Sequence, residues 1–414
     1  MRGVLRLGPF RRLLTAYTLN ELAWSFGSLA LALLVYRRTG SALGSTAFFL
    51  CTQFIPAAIS PVTVARSDQR HPRVILPVLY GVEAVLYLAL AWMASRAPVA
   101  VVLAVATADG IIALTARALA RAASVAVTSQ VGLLREGNAV ANSLFSICFL
   151  AGPALAGGVV AAGGTRAALV VNAVVFALIT LTLATARGLP EPVPASTPGR
   201  GRIRAALAHA RDQPMVRSLL SFQGVLLLFV TMSIPVEVVY AQHTLHAGAA
   251  GYGVLLSAWG GGAVAGSTIY ARWRGVPARR LIMLGAGCFG AGLIVMAVAP
   301  SIAIAIVGSA LAGVGNGTEV VAVRTELQEQ VAPEWMALMM SFNESLTQLV
   351  PGLGILLGGA ITALATTRVA LAVGGIGGLL ATAAAGILLR PAVARRQRTR
   401  IERPATDSAG SPHQ

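Results

Sequence analysis

The chain has 414 residues, 56% of them hydrophobic and only 11% charged, with a mean hydropathy of +0.75. Soluble domains carry roughly 25% charged residues, so most of this chain has no water to face and a soluble enzyme or binding module is excluded. A net charge of +17 would suggest nucleic acid in a soluble protein, but the 32 basic residues fall in alternate loops between apolar runs, the pattern that orients a membrane protein. All of them are Arg and none is Lys, which reads as the usage of a GC-rich genome.

A span needs about 20 mostly apolar residues. The first run, 13–36, follows a basic start but is long enough to cross and lacks a small-residue cleavage site, so it reads as a retained helix rather than a signal peptide. Further helices are expected at 43–64, 74–95, 98–120, 139–161 and 166–186. From Arg187 to Gln213 the composition changes: Pro190, Pro192, Pro194 and Pro198 stand among five Arg residues, a polar linker. A second set follows at 217–241, 250–271, 279–299, 301–323, 337–363 and 368–389, and then a basic, polar tail expected to be disordered. The organisation is an all-α integral membrane protein of twelve helices. Bundles 1–186 and 217–389 are joined by a cytoplasmic linker at 187–216, and 390–414 is a tail.

With both termini inside, the cytoplasmic segments hold 27 Arg residues and the outer ones five, Arg37, Arg38, Arg96, Arg166 and Arg368. That asymmetry places both termini in the cytoplasm. The two halves also echo each other in order, Ala65-Arg66 with Ala271-Arg272, Arg73 with Arg279, and Asn142 with Asn343, each Asn fifteen residues before a Gly-Gly pair. An ordered set at one offset, near half the chain, indicates an internal duplication, and repeated halves are one way transporters build a midplane site.

Several stretches resemble the major facilitator superfamily, in particular its drug:proton antiporters of the macrolide-efflux and enterobactin-exporter type. The likeness runs from about residue 8 to 390. It is strongest from Phe10-Arg11-Arg12-Leu13-Leu14 to Leu34-Val35-Tyr36-Arg37-Arg38-Thr39-Gly40-Ser41. The loop Ser67-Asp68-Gln69-Arg70-His71-Pro72-Arg73 is similar to a degraded form of the superfamily's acidic-basic loop motif, with Val64 in place of its leading Gly and Gln69 in place of an Arg. The resemblance implies a gating loop of Asp68, Arg70 and Arg73; a solvated loop that only sets topology is the competing reading. Gly152-Pro153-Ala154-Leu155-Ala156-Gly157-Gly158, in helix five, resembles the motif that marks antiporters and therefore implies export. A Pro kinks a helix and flanking Gly residues admit a close partner, although small-residue packing alone would look the same.

Six of the fifteen acidic residues fall inside expected spans: Glu21, Glu83, Asp109, Glu237, Glu319 and Glu344. An intramembrane carboxylate costs about 2.5–3.5 kcal/mol at a helix centre on insertion scales, so each is a functional hypothesis. In the superfamily fold helices one, four, seven and ten line the cavity, which ranks Glu21 and Asp109 first as proton-coupling candidates, with Glu344 and Glu319 next. Glu83 lies on an outer helix and Glu237 near the outer end. Where the branch often carries an Asp in helix one this chain has Trp24, and Glu21 stands three residues earlier on the same face. Arg117 and Arg121, one turn apart near the cytoplasmic end of helix four, are either basic partners of such a relay or anchors at the interface. Trp24, Tyr36, Trp259, Phe222 and Phe229 are candidates for an aromatic substrate wall.

The expected function is proton-coupled efflux of a hydrophobic or amphipathic small molecule (a drug, antibiotic, siderophore or other secondary metabolite) across the bacterial plasma or inner membrane. A metabolite importer of the same fold is the alternative, and a membrane enzyme or scaffold is less favoured. The partners are that substrate and the lipid bilayer, without nucleic acid, and the chain is expected to work as a monomer. No cofactor is expected, the proton gradient supplying the energy: the chain has no Walker motif, its five His residues have no metal-ligand spacing, and Cys51, Cys148 and Cys288 stand alone in apolar runs.

Overall fold

A computed structural model describes residues 3–39, 48, 50–192 and 201–389. The Gly40-Ser41 end of the first-helix motif, the side chain of Tyr36 and the expected tail at 390–414 lie outside the described residues. Among the described residues there are helices and turns and no strand. Among the described residues ten helices are long and apolar enough to cross a membrane.

The first half begins with α1, Gly8–Thr39, and continues with a π turn at Leu50–Phe54 that leads into α2, Ile55–Ser67. Next come α3, Pro72–Met93, and α4, Val99–Ser129. The run Leu134–Ala184 would be about 76 Å long as one rod, more than twice a bilayer's hydrocarbon core. Gly164 breaks it with φ 74°, a backbone conformation that a residue without a Cβ adopts at no steric cost, and so makes two spans, α5 (134–163) and α6 (165–184).

The linker differs from expectation. Its prolines end at Pro198, and the proline-free stretch that follows forms a short helix, α7, Arg202–Asp212. The second half comprises α8, Pro214–Val239; α9, Gly248–Arg272; α10, Ala278–Val298; α11, Ile302–Gln330; α12, Met336–Leu364; and α13, Thr367–Leu388.

The helices pack as two six-helix bundles. In the first, α1 and α3 pack on the α5–α6 run and α2 packs on α4. In the second, α10 and α9 flank α11, while α8 packs on α12 and α13. The bundles meet where α5 lies against α9 and where α12 lies against α2 and α4. The paired residues of the duplication occupy matching places: Arg66 and Arg272 close α2 and α9, and Arg73 and Arg279 stand in the first turns of α3 and α10.

Glycine holds the second bundle together. On α9 and α11, Cβ atoms at Gly262 and Gly266 would run into the carbonyls of Ala310 and Val314. Cβ atoms at Gly313 and Gly317 would run into those of Trp259 and Ala263, so the two backbones touch along two turns. Without a hydrophobic force between helices in lipid, such close approach is what drives their association. The outward faces are apolar and bare, as at Val74, Val78, Val85, Leu88 and Trp92 of α3, a surface stable against lipid and not against water.

Three of the five Arg residues expected outside are tied to helix ends, Arg96 donating to the Trp92 carbonyl in the last turn of α3 at 3.2 Å. Arg38 donates to the Ala97 carbonyl, and Arg368 donates to Ala297 at 2.9 Å and Ala299 at 2.8 Å.

Candidate functional site

The polar side chains inside the bundles fall into two systems that differ in charge balance. The first is an ion-pair network. Arg117 of α4 donates to Glu21 of α1 at 2.9 Å and stands 4.0 Å from Glu344 of α12, and the Arg121 Nε lies 2.5 Å from the other Glu344 oxygen. Arg121 also lies over the ring of Tyr17, 5.5 Å from its centroid. The side chains of Arg117 and Arg121 are only 13% and 16% exposed, so they are internal partners of carboxylates and not anchors at the interface. Because Glu344 comes from the second bundle and the Arg residues from the first, this network ties the two halves together.

More cross-bundle contacts lie on the same side of the network, at the end of the molecule carrying the Arg-rich loops. Asn138 of α5 reaches Thr325 at 2.9 Å and Gln328 at 2.6 Å on α11, and Asn142 reaches Ser267 of α9 at 2.8 Å. Arg135 donates to the carbonyls of Tyr270 and Trp273, and Arg274 pairs with Glu136. At the level of the central cavity, Ser345 of α12 donates to the Ala57 carbonyl of α2 at 2.7 Å.

Asp68 belongs to this closure. Its buried carboxylate accepts two hydrogen bonds from Arg202 of α7, at 3.0 and 2.5 Å. The same guanidinium donates to the Glu334 carbonyl at 2.8 Å and lies 5.2 Å from the Trp335 ring centroid. The linker helix thus clasps the first bundle's loop to the turn before α12. Arg70 and Arg73, expected to share the gating role, are exposed, and no ion pair among the described residues includes them.

The second system is a cavity of about 70 Å³ on the far side of the Arg117 network. Its wall includes Trp24, Tyr87, Phe176, Glu83, Asp109 and Gln348, so α1, α3, α4, α6 and α12 all contribute. Glu83 is fully buried and Asp109 is 6% exposed. Tyr87 donates its hydroxyl to Asp109 and stacks on Phe176 with ring centroids 5.3 Å apart. Neither Glu83 oxygen has a hydrogen-bond partner, nor does Asp109 Oδ1, and neither carboxylate is in an ion pair among the described residues. A Cβ at Gly27 of α1 would collide with the Tyr87 hydroxyl and crowd the Asn172 amide, so glycine there makes room for the polar cluster. Asn20 and Arg117 line this cavity and also a second one of about 50 Å³ toward the basic end, so the Glu21–Arg117 pair stands between the two.

The acidic residues therefore rank differently from expectation. Glu21 and Glu344 are held by Arg residues. Asp109 keeps its place beside the cavity, joined by Glu83, which its outer helix had ranked low. The reason is that α3 packs on the α5–α6 run and turns Glu83 inward. Glu319 lines neither cavity; it packs against Gly285 of α10, and Glu237 accepts a hydrogen bond from Ser233 at 3.1 Å. Of the aromatic candidates, Trp24 lines the cavity, Trp259 packs on Phe149, Phe222 is buried, and Phe229 fills the space over Gly377.

The Gly-Pro stretch is corrected in part. A Cβ at Gly152 would overlap Ser25 of α1, a tight helix contact. Gly157 and Gly158 have nothing within 4 Å of where a Cβ would stand, and Pro153 is exposed. They therefore make no close helix contact among the described residues. Gly152→Leu is accordingly expected to destabilise by about 1–3 kcal/mol through overpacking and to abolish function. Gly157→Leu should cost less than about 0.5 kcal/mol. Melting of the two detergent-purified variants, with equal membrane insertion as the control, tests the contrast.

A model of the Major Facilitator Superfamily matches residues 219–411. No curated protein matches the chain by sequence. Among solved structures, the human organic anion transporter MFSD10 is 18% identical with a TM-score of 0.72, covering 92% of this chain and 100% of its own. A bacterial homologue of the iron transporter ferroportin, in its outward-facing state, is 16% identical with a TM-score of 0.74, over 92% and 100%. The E. coli fucose:proton symporter FucP is 14% identical with a TM-score of 0.70, over 92% and 98%. With twin six-helix bundles, a matching sequence model over the second of them, and structural likeness along nearly the whole chain, the protein has the fold of the major facilitator superfamily.

Proposed function

We propose that the chain is a secondary active transporter of the bacterial plasma membrane that exports a hydrophobic or amphipathic small molecule in exchange for protons. It alternates access as a monomer, without a cofactor, and both termini are cytoplasmic. The observation that carries this reading is the Glu83–Asp109 pair, two buried carboxylates in one cavity that make no ion pair among the described residues, although Arg117 lines the same cavity, beside a network in which Glu21 and Glu344 are both paired with Arg. In this reading the pair carries one proton through the cycle, taking it up from one side and giving it up when the site opens to the other. The Arg asymmetry puts the closed, basic end at the cytoplasm, so the cavity would exchange with the outside in this arrangement.

Trp24, Tyr87 and Phe176 give the cavity an aromatic wall; at about 70 Å³ it must widen on opening to take an amphipathic cargo. The similar structures are named for organic anions, iron, fucose and nucleosides, so the fold leaves the cargo open. The Gly-Pro stretch favours export, although only Gly152 of it makes the expected contact. The test uses inside-out vesicles with an acid interior and a panel of fluorescent amphipathic dyes. Dye should accumulate with the gradient and leave when a protonophore collapses it. Gradient-driven uptake into right-side-out vesicles instead would establish the importer, and no dye movement in either orientation would overturn the efflux reading.

A further inference from the structure

We infer that the outer face of α10 holds a structural anionic phospholipid, one acyl chain lying in a groove along the helix and the headgroup phosphate held by Arg280 and Arg279. A groove of about 530 Å³ runs along this face, and its exposed lining is wholly apolar. Arg280, Leu284, Gly287, Cys288 and Ala291 recur at helical spacing along it, with Leu311 of α11 on one side and Thr382 of α13 on another. The small side chains at Gly287, Cys288 and Ala291 make the floor.

Length and charge select the occupant. From Arg280 to Ala291 the helix rises about 16 Å, and one leaflet's hydrocarbon is about 15 Å deep. The groove therefore reaches from the interface to the midplane, the span of a single acyl chain. At its interfacial end, Arg280 is exposed and makes no ion pair among the described residues. Arg279 gives one nitrogen to the Gly386 carbonyl, while its buried Nε has no partner. Among the described residues at that end, Glu136 pairs with Arg274, Asp68 with Arg202, and Glu329 lies beside Arg135. Two guanidiniums that make no ion pair among the described residues, above an apolar slot, match a phosphate above an acyl chain, and basic pockets between membrane helices at the cytoplasmic side bind anionic headgroups in this way. A zwitterionic lipid would bring its own cation to the same point and lose the advantage. The site lies outside the bundle, away from both central cavities, and does not depend on the cargo.

The test uses the full chain in nanodiscs of phosphatidylcholine with a minor fraction of phosphatidylglycerol, followed by release into the gas phase and counting of retained lipids. The wild type should retain one phosphatidylglycerol in preference to phosphatidylcholine by about tenfold or more. Arg280→Ala should remove the preference, Arg280→Lys should restore part of it, and Ala291→Trp, which fills the deep end of the groove, should remove the bound lipid. Equal retention of the two lipids by the wild type would reduce the groove to ordinary boundary lipid and overturn the inference. So would selective retention that survives Arg280→Ala, or one that survives Ala291→Trp in a folded variant, since phosphate and chain must bind at the same site.

Discussion

Replacing Glu83 by Gln together with Asp109 by Asn is expected to abolish pH-gradient-driven accumulation by about 100-fold or more, while energy-independent exchange of the substrate continues. The amides keep shape and polarity, so the cavity walled by Trp24, Tyr87 and Phe176 stays formed. What they remove is the site that takes up a proton from one side and gives it to the other. The stability of the double variant should hold or rise, because the two carboxyls are buried with three oxygens unpartnered, and the neutral amides remove the cost of burying a charge there. Each single variant keeps one carboxyl and should pump with a shifted pH profile. Glu21→Gln supplies the contrast: it strips Arg117 of a buried partner at 2.9 Å and should lower the melting temperature. Concentrative transport by the double variant at the wild-type level would remove the pair from the coupling mechanism.

The element pattern could be read from the sequence almost in full, because each span must bury about 20 apolar residues and the loops between them are marked by Arg and Pro. The turn at Gly164 fell where two expected helices met, and the duplicated residues occupy matching positions in the two halves. Which acid faces which neighbour was not legible. Glu21, Glu83 and Asp109 are each a polar residue in an apolar run, and helical periodicity alone does not say whether a face meets a basic residue, another acid or lipid. Glu83 was ranked low on its helix's place in the fold, yet it is fully buried beside Asp109. Arg202 carried no local signal, since a buried Arg in a polar linker looks like any other loop Arg until Asp68 and Trp335 are seen against it. For Arg117 and Arg121 the sequence leaves both readings open, because the positive-inside pattern accounts for any Arg near a helix end; their carboxylate partners lie 96 or more residues away in the chain.

The second large effect is expected at the junction of the halves. Glu344→Gln removes the one carboxylate of the second bundle that meets Arg121 and Arg117. In the closed arrangement it leaves Arg121 buried 16% exposed without its 2.5 Å partner, and breaking a buried pair on one side costs about 3–5 kcal/mol. An arrangement opened at the basic end would hydrate Arg121 and avoid that cost. A shift of about 3 kcal/mol changes the closed-to-open ratio roughly 150-fold, enough to populate the open form heavily. The readout is a thiol at Ser124, which lines the cavity on the basic side of the Glu21–Arg117 pair, with Cys51, Cys148 and Cys288 replaced by Ser. Its labelling by a membrane-impermeant maleimide in inside-out vesicles should accelerate by one to two orders of magnitude in Glu344→Gln. Adding Arg121→Gln, which removes the stranded charge, should return the rate most of the way toward the parent, a recovery that general loosening of the fold would not produce. If labelling is unchanged in Glu344→Gln, the closure at the basic end is held by Asn138, Arg135 and the Asp68–Arg202 clasp, and the charge network is only a bystander to it.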